Sequence, residues 1–433
     1  MGIQILWGLL LLSLLVIAHE LGHFVFAKLF DVKVCEFSIF MGPKIFGFKK
    51  GETEYTLRLI PIGGYVSMEG EDEDSDDERA FNKKSVWKRI VIIAAGPVVN
   101  VLIAIIAFIV VVSSSGVATT QITKLDESGS MYESGMQAGD IIRKVDGRSV
   151  LSLQEFSLFS VATKEGVEIP IEVQRGEETL IFNVTPQIIE KHYKYIIGYS
   201  YKEDADKCIV DSIEKGYPAE KAGLKVGDII IEFNGKPITK PKDFTEYMKE
   251  NGDSEVNLVV ERDGARVELN GIIPEKKEVP EETSIGTAYF KRINPQGLQV
   301  VNYALRESFS TARVVGYSLA FLVTGKIGVN NMSGPVGIVT TIGEVVEQGS
   351  DAREKFLSFM FLLGLISMNL GMMNMVLFPA LDGSKIILYI IEGIRRKAIS
   401  KEVEGRMNFV GFIVLIGLMI FATWNDIVRL IGG

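Results

Sequence analysis

The sequence predicts a multi-span α-helical membrane protein with a large β-rich part outside the bilayer, and three observations lead to this fold class. Of the 433 residues, 47% are hydrophobic although 23% are charged, so the apolar residues must be concentrated in blocks. Four blocks are long enough to cross a bilayer, which needs about 20 apolar residues. The long stretch between the second and third blocks carries repeated strand and turn signals.

The four predicted membrane helices occupy 1–30, 86–113, 356–382 and 407–430. The first lacks the basic region and the small-residue cleavage site of a secretory signal peptide. We therefore expect it to remain in the mature protein as a membrane anchor.

Basic residues in the short loops set the orientation of a membrane protein. Lysine and arginine are frequent in 31–85 and in 383–406, whereas the N-terminus has none before Lys28. Both short loops are therefore predicted to be cytoplasmic, and both termini and the long β-rich stretch to lie outside. The acidic residues between Glu69 and Glu78 count little in this rule and are predicted to form a solvated loop.

The first predicted span contains the segment His19-Glu20-Leu21-Gly22-His23. Residues four apart share one face of a helix, so both imidazoles can reach one metal ion with Glu20 beside them. Zinc accepts neutral imidazole nitrogen and polarises a water, from which Glu20 would take a proton as general base. A chance pair of histidines in a core helix is the alternative, but ionisable residues in an apolar membrane segment are costly and mark function.

Asp382 is predicted to be the third zinc ligand. The first and third spans both enter from outside, so the inner half of the first span, with His19 and His23, lies at the depth of the inner end of the third. Two histidines, one carboxylate and a water complete a tetrahedral catalytic zinc site. An aspartate followed by Gly383 also fits a helix-ending turn, and the matching depth favours the ligand.

These residues resemble the motifs of the site-2 protease family of intramembrane zinc metalloproteases, specifically the bacterial branch that includes the regulator-of-sigma-E protease. The resemblance covers nearly the full length. Besides the histidine motif it rests on Pro61-Ile62-Gly63-Gly64-Tyr65-Val66, Gly96-Pro97-Val98-Val99-Asn100, Ser333-Gly334-Pro335-Val336-Gly337-Ile338 and Leu381-Asp382-Gly383. Where the family pattern often continues as Asp-Gly-Gly-His, this chain has Ser384-Lys385 after Asp382-Gly383.

The resemblance implies a polytopic zinc endopeptidase of the bacterial inner membrane, in which Glu20 activates the zinc-bound water near the cytoplasmic side. The implied substrates are single-span membrane proteins such as anti-sigma factors, or remnant signal peptides. They would be cut within or near the bilayer after an earlier protease has shortened their outer part.

A substrate helix hides its carbonyl groups in its own hydrogen bonds, so it must unwind before water can attack. An exposed strand edge can hold the unwound backbone by strand addition. The loop 31–85 has strand-like segments, and we predict membrane-associated hairpins in which Tyr55, Leu57, Gly63 and Gly64 contact substrate. An ordinary hairpin without substrate contact is the alternative.

Two asparagines are predicted at membrane depth. Asn374, about two turns before Asp382, is by resemblance a candidate for holding substrate backbone or the developing oxyanion. Asn100 could instead join helices, as amides do in membrane bundles. We predict a functional role for Asn374 and a structural role for Asn100.

The outer part contains an internal repeat that looks like two tandem PDZ domains, at 117–188 and 203–274. Ser134 to Gly147 recurs as Ala222 to Gly235, each copy with a Gly-Asp turn, a short strand and a tight Asp-Gly or Asn-Gly turn. PDZ folds bind extended peptides at a sheet edge. Peptide binding and a size filter that excludes bulky substrates are the two interpretations, and the family resemblance favours the filter.

The segment 275–355 is predicted to be a linker that contains an amphipathic helix at about 298–327, lying at the outer membrane interface. The net charge of −9 argues against a nucleic-acid partner, which usually needs a basic surface. A noncatalytic PDZ-bearing membrane adaptor with structural zinc is the alternative from another functional class. A metal transporter fits poorly, because the other spans show no ladder of ionisable residues.

Overall fold

The computed structural model describes residues 2–71, 73–162, 166–189, 192–201, 207–214, 216–279, 282–328, 333–349 and 351–432. Two compact units make up the chain. The first comprises Met1–Thr163, Val167–Thr185 and Ile285–Gly433, and the second comprises Lys164–Gly166 and Pro186–Ser284.

The α-helices in the described residues are α1 (Gly2–Leu29), α2 (Val86–Ser115), α3 (Ser130–Glu133), α4 (Leu153–Val161), α5 (Pro218–Lys221), α6 (Pro241–Asn251), α7 (Leu298–Val323), α8 (Pro335–Glu347), α9 (Ala352–Asn374), α10 (Asp382–Arg395) and α11 (Lys401–Gly432).

The strands are β1 (Val34–Lys50), β2 (Thr53–Met68), β3 (Val117–Leu125), β4 (Ile141–Val145), β5 (Arg148–Ser149), β6 (Ile169–Arg175), β7 (Glu178–Val184), β8 (Gln187–Ile189), β9 (His192–Ile196), β10 (Tyr199–Tyr201), β11 (Val210–Ile213), β12 (Ile229–Phe233), β13 (Lys236–Pro237), β14 (Val256–Arg262), β15 (Ala265–Ile272), β16 (Glu275–Val279), β17 (Glu282–Ser284) and β18 (Ala288–Ile293).

The predicted fold class is confirmed: apolar helices long enough to cross a bilayer occur together with β-rich domains. In the described residues, four helices have this length and composition, namely Ile5–Leu29, Val86–Ser115, Ala352–Asn374 and Lys401–Val428. The protein is a multi-pass membrane protein, and these spans lie close to the four predicted from hydropathy.

The predicted third span, 356–382, is too long at its C-terminal end. Helix α9 ends at Asn374, although the residues from Met375 to Phe378 remain apolar. Pro379 disfavours helical backbone in the residue before it and has no N–H to donate, and Ala380 has a φ of 75°. A turn therefore follows α9, and the segment 383–406, predicted to be a loop, contains most of α10 and the start of α11.

Helices α1, α2 and α9 pack closely because small residues lie at their contacts. A Cβ on Gly22 of α1 would lie 2.6 Å from the carbonyl oxygen of Ala95 in α2, and one on Gly371 of α9 would lie 3.0 Å from that of Pro97. Small residues of this kind let the backbones of membrane helices approach one another. The backbone of α2 therefore lies directly against the histidine-bearing face of α1.

Strands β1 and β2 are long and curl so that one half of each pairs on both of its edges. The N-terminal part of β2 pairs with both halves of β1, since Tyr55 lies opposite Phe37 and Phe48, and Leu57 lies opposite Ile39 and Phe46. The C-terminal part of β2 pairs only with the start of β1. Within β2, therefore, the C-terminal part has one edge without a strand partner in the described residues.

The first β-domain has the sheet order β18-β3-β4-β6-β7. Strand β18 lies within the segment predicted to be a linker, 275–355, so the predicted domain limits of 117–188 omit a strand of this sheet. The reason is that the second unit is inserted between β7 and β18, and sequence neighbours are then no guide to sheet neighbours. The predicted amphipathic helix 298–327 corresponds to α7, whose Ala304 packs with Ala104 and Phe108 of α2.

The second β-domain lies in the second unit and has the sheet order β13-β12-β14-β15, with the pairs β10-β11, β9-β16 and β8-β17 beside it in the same unit. It therefore begins before the predicted limit of 203 and ends after 274. The internal repeat is present in both domains: Asp146-Gly147 and Asn234-Gly235 all have positive φ and make the predicted tight hairpin turns.

Each copy of the repeat also holds a buried aspartate. Asp140 in the first domain is bound by Arg175 at 2.7 and 2.8 Å, and Asp228 in the second by Arg262 at 2.7 Å twice. The backbone N–H of Lys225 also donates to Asp228. Burial alone would raise the pKa of Asp228, but the hydrogen bonds from Arg262 and Lys225 outweigh it, and the pKa lies below its ordinary value.

Candidate metal centre

His19 and His23 lie one turn apart on the face of α1 that contacts α2. Both side chains are buried, and their Nε2 atoms lie 3.2 Å from each other. The helix places them together because residues i and i+4 stand one above the other. Two imidazole nitrogens are thus directed at one point inside the helix bundle.

Asp382 reaches the same point from the first residue of α10. Its Oδ2 atom lies 3.2 Å from Nε2 of His19 and 3.6 Å from Nε2 of His23. That oxygen is buried and has no hydrogen-bond partner among the described residues. The structure therefore brings the three predicted metal ligands together, although Asp382 follows the third membrane helix instead of lying in it.

The turn before Asp382 is sterically defined. Ala380 has left-handed backbone with a φ of 75°, which is uncommon for a residue with a side chain. At Gly383, a Cβ would lie 2.4 Å from the carbonyl oxygen of Met375 and 2.5 Å from that of Val376. Only glycine fits there, so the Leu381-Asp382-Gly383 motif has a packing reason in this fold.

The outer nitrogens of both imidazoles are also occupied. Nδ1 of His23 lies 2.9 Å from the carbonyl oxygen of Ile92, to which it donates. Nδ1 of His19 lies 3.1 Å from the side-chain amide of Asn100. The contact with Ile92 places the ring proton of His23 on Nδ1, so that its Nε2 is free to bind a metal.

Asn100 was predicted to join helices, and its side chain does connect α2 to α1, where it contacts a predicted metal ligand, His19. It is fully buried, and its Oδ1 has no hydrogen-bond partner in the described part of the chain. Rotating the amide by half a turn would set Oδ1 against the Nδ1–H of His19, which satisfies both groups. The sequence signal for this role was the Gly96-Pro97-Val98-Val99-Asn100 motif.

Gly96 makes room for both histidines. A Cβ at this position would lie 2.4 Å from Nε2 of His23 and 2.9 Å from Cε1 of His19. Because real Cβ atoms do not approach so closely, no side chain fits at position 96 without moving the imidazoles.

Glu20 lies between the two histidines in sequence and beside them in space. It makes no hydrogen bond or ion pair with another residue in the described ranges. Gly64 of β2 lies near it: an added Cβ there would lie 3.4 Å from Cγ of Glu20 and 3.0 Å from the carbonyl oxygen of Ser38. The backbone of β2 at Gly64 thus passes close to the predicted general base.

The other predicted substrate contacts divide into two groups. Gly63 and Gly64 lie at the free edge of β2, and Gly63 has a φ of 78°. The prediction of strand addition at Tyr55 and Leu57 is wrong, because both edges of their strand are already paired within the hairpin. The ring of Tyr55 stacks on Phe48 instead, with centroids 5.3 Å apart. Alternation of residue types reveals a strand but not which of its edges is covered.

Asn374 is the last residue of α9, directly before the turn that leads to Asp382. Its side chain is half-buried. The predicted role in holding substrate stays a prediction, since the geometry establishes only its position at the end of this helix.

Sequence reasoning missed Glu71 and Lys385. Glu71 belongs to the acidic cluster that was predicted to be solvated, yet its Oε1 lies 2.8 Å from Nζ of Lys385, one turn into α10. Its carbonyl oxygen accepts a hydrogen bond from Lys401 at 2.5 Å. The attraction of Glu71 raises the pKa of Lys385 above its ordinary value. The available signal was the lysine at the position where the family pattern often has histidine.

The donor set fits a zinc ion. The ligand atoms of His19, His23 and Asp382 all lie within 4.8 Å of one another, and two imidazole nitrogens with one carboxylate oxygen are typical of catalytic zinc sites that keep a fourth position open. The orphaned Oδ2 of Asp382 and the outer contacts of both imidazoles support this fit.

Comparison with known proteins gives consistent matches along the chain. A model described as peptidase family M50 matches residues 7–418. A relative from Clostridium acetobutylicum, named as a zinc metalloprotease, is 31% identical over 98% of this chain and 97% of its own. The regulator of sigma-W protease RasP of Bacillus subtilis is 29% identical over 98% of this chain and 97% of its own.

Solved structures also match part of the chain, and one of them is a PDZ domain. The HtrA3 PDZ domain bound to a phage-derived ligand (FGRWV) covers 20% of this chain and 91% of its own, with 22% identity and a TM-score of 0.18.

Proposed function

Since the chain belongs to peptidase family M50, the site-2 protease family of zinc metalloproteases, we propose that it cleaves its substrates within or next to their membrane-spanning segments, with Glu20 as general base. The family assignment makes it a zinc metalloendopeptidase. The observation that carries the proposal is the convergence of His19, His23 and Asp382 beside Glu20, between helices long enough to span a bilayer.

The zinc ion would be held by His19, His23 and Asp382. When bound, it would act as a Lewis acid that makes a water molecule easier to deprotonate, and so a better nucleophile toward a peptide carbonyl. Glu20 has no competing partner among the described residues, so its carboxylate is available to take a proton from that water and to deliver it to the leaving amine. The carbonyl of Ile92 would keep His23 in the required tautomer, and Asn100, with its amide turned so that Oδ1 faces Nδ1 of His19, would do the same for His19.

The free edge of β2 supports a way of presenting the substrate. An unwound segment that pairs with Gly63 and Gly64 would pass near Glu20, because a Cβ added at Gly64 would lie 3.4 Å from Cγ of that side chain. The absence of side chains at these two positions lets the substrate backbone approach closely. Asn374, at the end of α9, would hold a substrate carbonyl or the developing oxyanion.

The relative in Bacillus subtilis is named a regulator of sigma-W protease. We extend this to the present chain as a proposal: its substrates are single-span anti-sigma factors or remnant signal peptides in a bacterial inner membrane. In this arrangement both termini and the β-domains lie outside and the metal centre lies near the cytoplasmic side. The β-domains act as a size filter or as peptide binders.

The test is cleavage of a tagged model transmembrane substrate by the purified full-length protein in detergent, with zinc content measured on each variant. Wild type should cleave; Glu20→Gln should keep zinc and lose cleavage; Asp382→Ala should bind zinc more weakly and lose cleavage. Glu402→Gln, a matched change at an exposed position of α11, should resemble wild type. Cleavage by Glu20→Gln at the wild-type rate would refute the mechanism. Zinc retention without cleavage by wild type would support the noncatalytic adaptor.

A further inference from the structure

Helix α11 exposes most of its length, since Phe409, Val410, Phe412 and Ile413 are all exposed. It nevertheless contacts the turn between α9 and α10 at two points. One face of α11 makes both contacts. The residues that it contacts lie within the three that precede Asp382.

The first contact is a hydrogen bond. The backbone N–H of Ala380 donates to Oδ1 of Asn408 at 3.2 Å. Ala380 is the residue with left-handed backbone, a conformation that costs energy for a residue with a side chain and persists only where its surroundings hold it. Asn408 satisfies the N–H that this conformation leaves without a helix partner.

The second contact is a close approach of backbones. A Cβ on Gly411 would lie 2.3 Å from the carbonyl oxygen of Pro379 and 2.6 Å from its carbonyl carbon. Asn408 and Gly411 are three residues apart and so lie on the same face of the helix. Together they meet Pro379 and Ala380, which lead directly into Leu381 and Asp382.

We propose that Asn408 and Gly411 are positioning residues for the third metal ligand: they hold the turn that sets the carboxylate of Asp382 against the two histidines. The inference rests on the proposed role of Asp382 as a zinc ligand. Metal–ligand distances in a zinc site lie within about 0.2 Å of their standard values, so contacts that hold this turn, in addition to its own hydrogen bonds from Leu381 and Ser384, bear directly on the metal centre. The fourth membrane helix is thereby part of the metal centre without contributing a ligand.

The experiment measures the zinc dissociation constant of the purified full-length protein by competition with a chelator. Asn408→Ala and Gly411→Ala should each weaken zinc binding about 10- to 100-fold, as changes behind metal ligands do. Asn408→Asp, which keeps an acceptor for the N–H of Ala380, should retain most of the affinity. Phe409→Ala, at an exposed neighbouring position of α11, and Gly417→Ala, where a Cβ meets open space, are the controls and should match wild type.

A double variant separates positioning from general loss of structure. If Asn408 acts through Asp382, adding Asn408→Ala to Asp382→Ala should weaken zinc binding no further. An additional loss in that background, or an unchanged zinc affinity in Asn408→Ala, overturns the inference. A wild-type protein that binds no zinc would instead refute the proposed function, so the two failures are distinguishable.

Discussion

Replacing Gly96 by alanine tests the geometry of the metal centre most directly. The new methyl group would lie 2.4 Å from Nε2 of His23, 2.6 Å from its Cε1 and 2.9 Å from Cε1 of His19. Ordinary contact begins at 3.4 Å, so Nε2 of His23 must move by about 1 Å. That displacement is several times the spread of about 0.2 Å in metal–ligand distances.

We expect the zinc affinity of Gly96→Ala to fall at least about 100-fold, or about 2.7 kcal/mol. The assay is chelator competition on the purified protein, with cleavage of the model substrate as a second readout. Gly417→Ala is the matched control, because the same change in a membrane helix meets nothing within 4 Å. Alanine is the better helix former by about 1 kcal/mol, so a fall in zinc affinity cannot be attributed to a weaker helix. Equal zinc affinity in Gly96→Ala and wild type would refute the reasoning.

Two further predictions concern other contacts. Asn100→Ala should lower zinc affinity about 10- to 100-fold by freeing the ring of His19. Ser367→Ala, which removes a hydrogen bond only to the backbone of Asn100, should leave the zinc affinity unchanged. Equal zinc affinities in the two variants would contradict the role of Asn100 in holding His19. Asp228→Asn should destabilise the second β-domain by about 2 kcal/mol at neutral pH, because Arg262 loses its partner, as measured by urea titration of proteolysis. Since the pKa of Asp228 is lowered on folding, the stability that its carboxylate contributes is present above its unfolded pKa of about 3.9 and is lost as the pH falls. A difference in stability between Asp228→Asn and wild type that persists unchanged at pH 3 would refute this reasoning.

The cluster of His19, His23 and Asp382 was predictable because it follows from simple rules of spacing and order. The four-residue spacing of His19 and His23 fixes their common face, and the order of the spans brings Asp382 to the same depth. The end of α9 was not predictable from hydropathy, because apolar residues continue past Asn374. Turn chemistry at Pro379 decides it instead.

Features that depend on long-range pairing were missed for a different reason. The sequence around Tyr55 is typical of a strand, but only the complete hairpin shows that both edges of this strand are already paired. Glu71 looks solvated in a run of acidic residues until α10 supplies Lys385. Tertiary context decides such cases, and composition does not contain it.

The insertion of the second unit between β7 and β18 has a consequence for synthesis. Strand β3 ends at Leu125 and β18 begins at Ala288, so about 160 further residues must be made before β3 can pair with β18, roughly 8 to 30 s at bacterial rates of elongation. During that interval its edge is open to wrong partners. The second β-domain needs no strand from beyond its own unit. We therefore expect the domain that comes later in the sequence to be the first to finish folding.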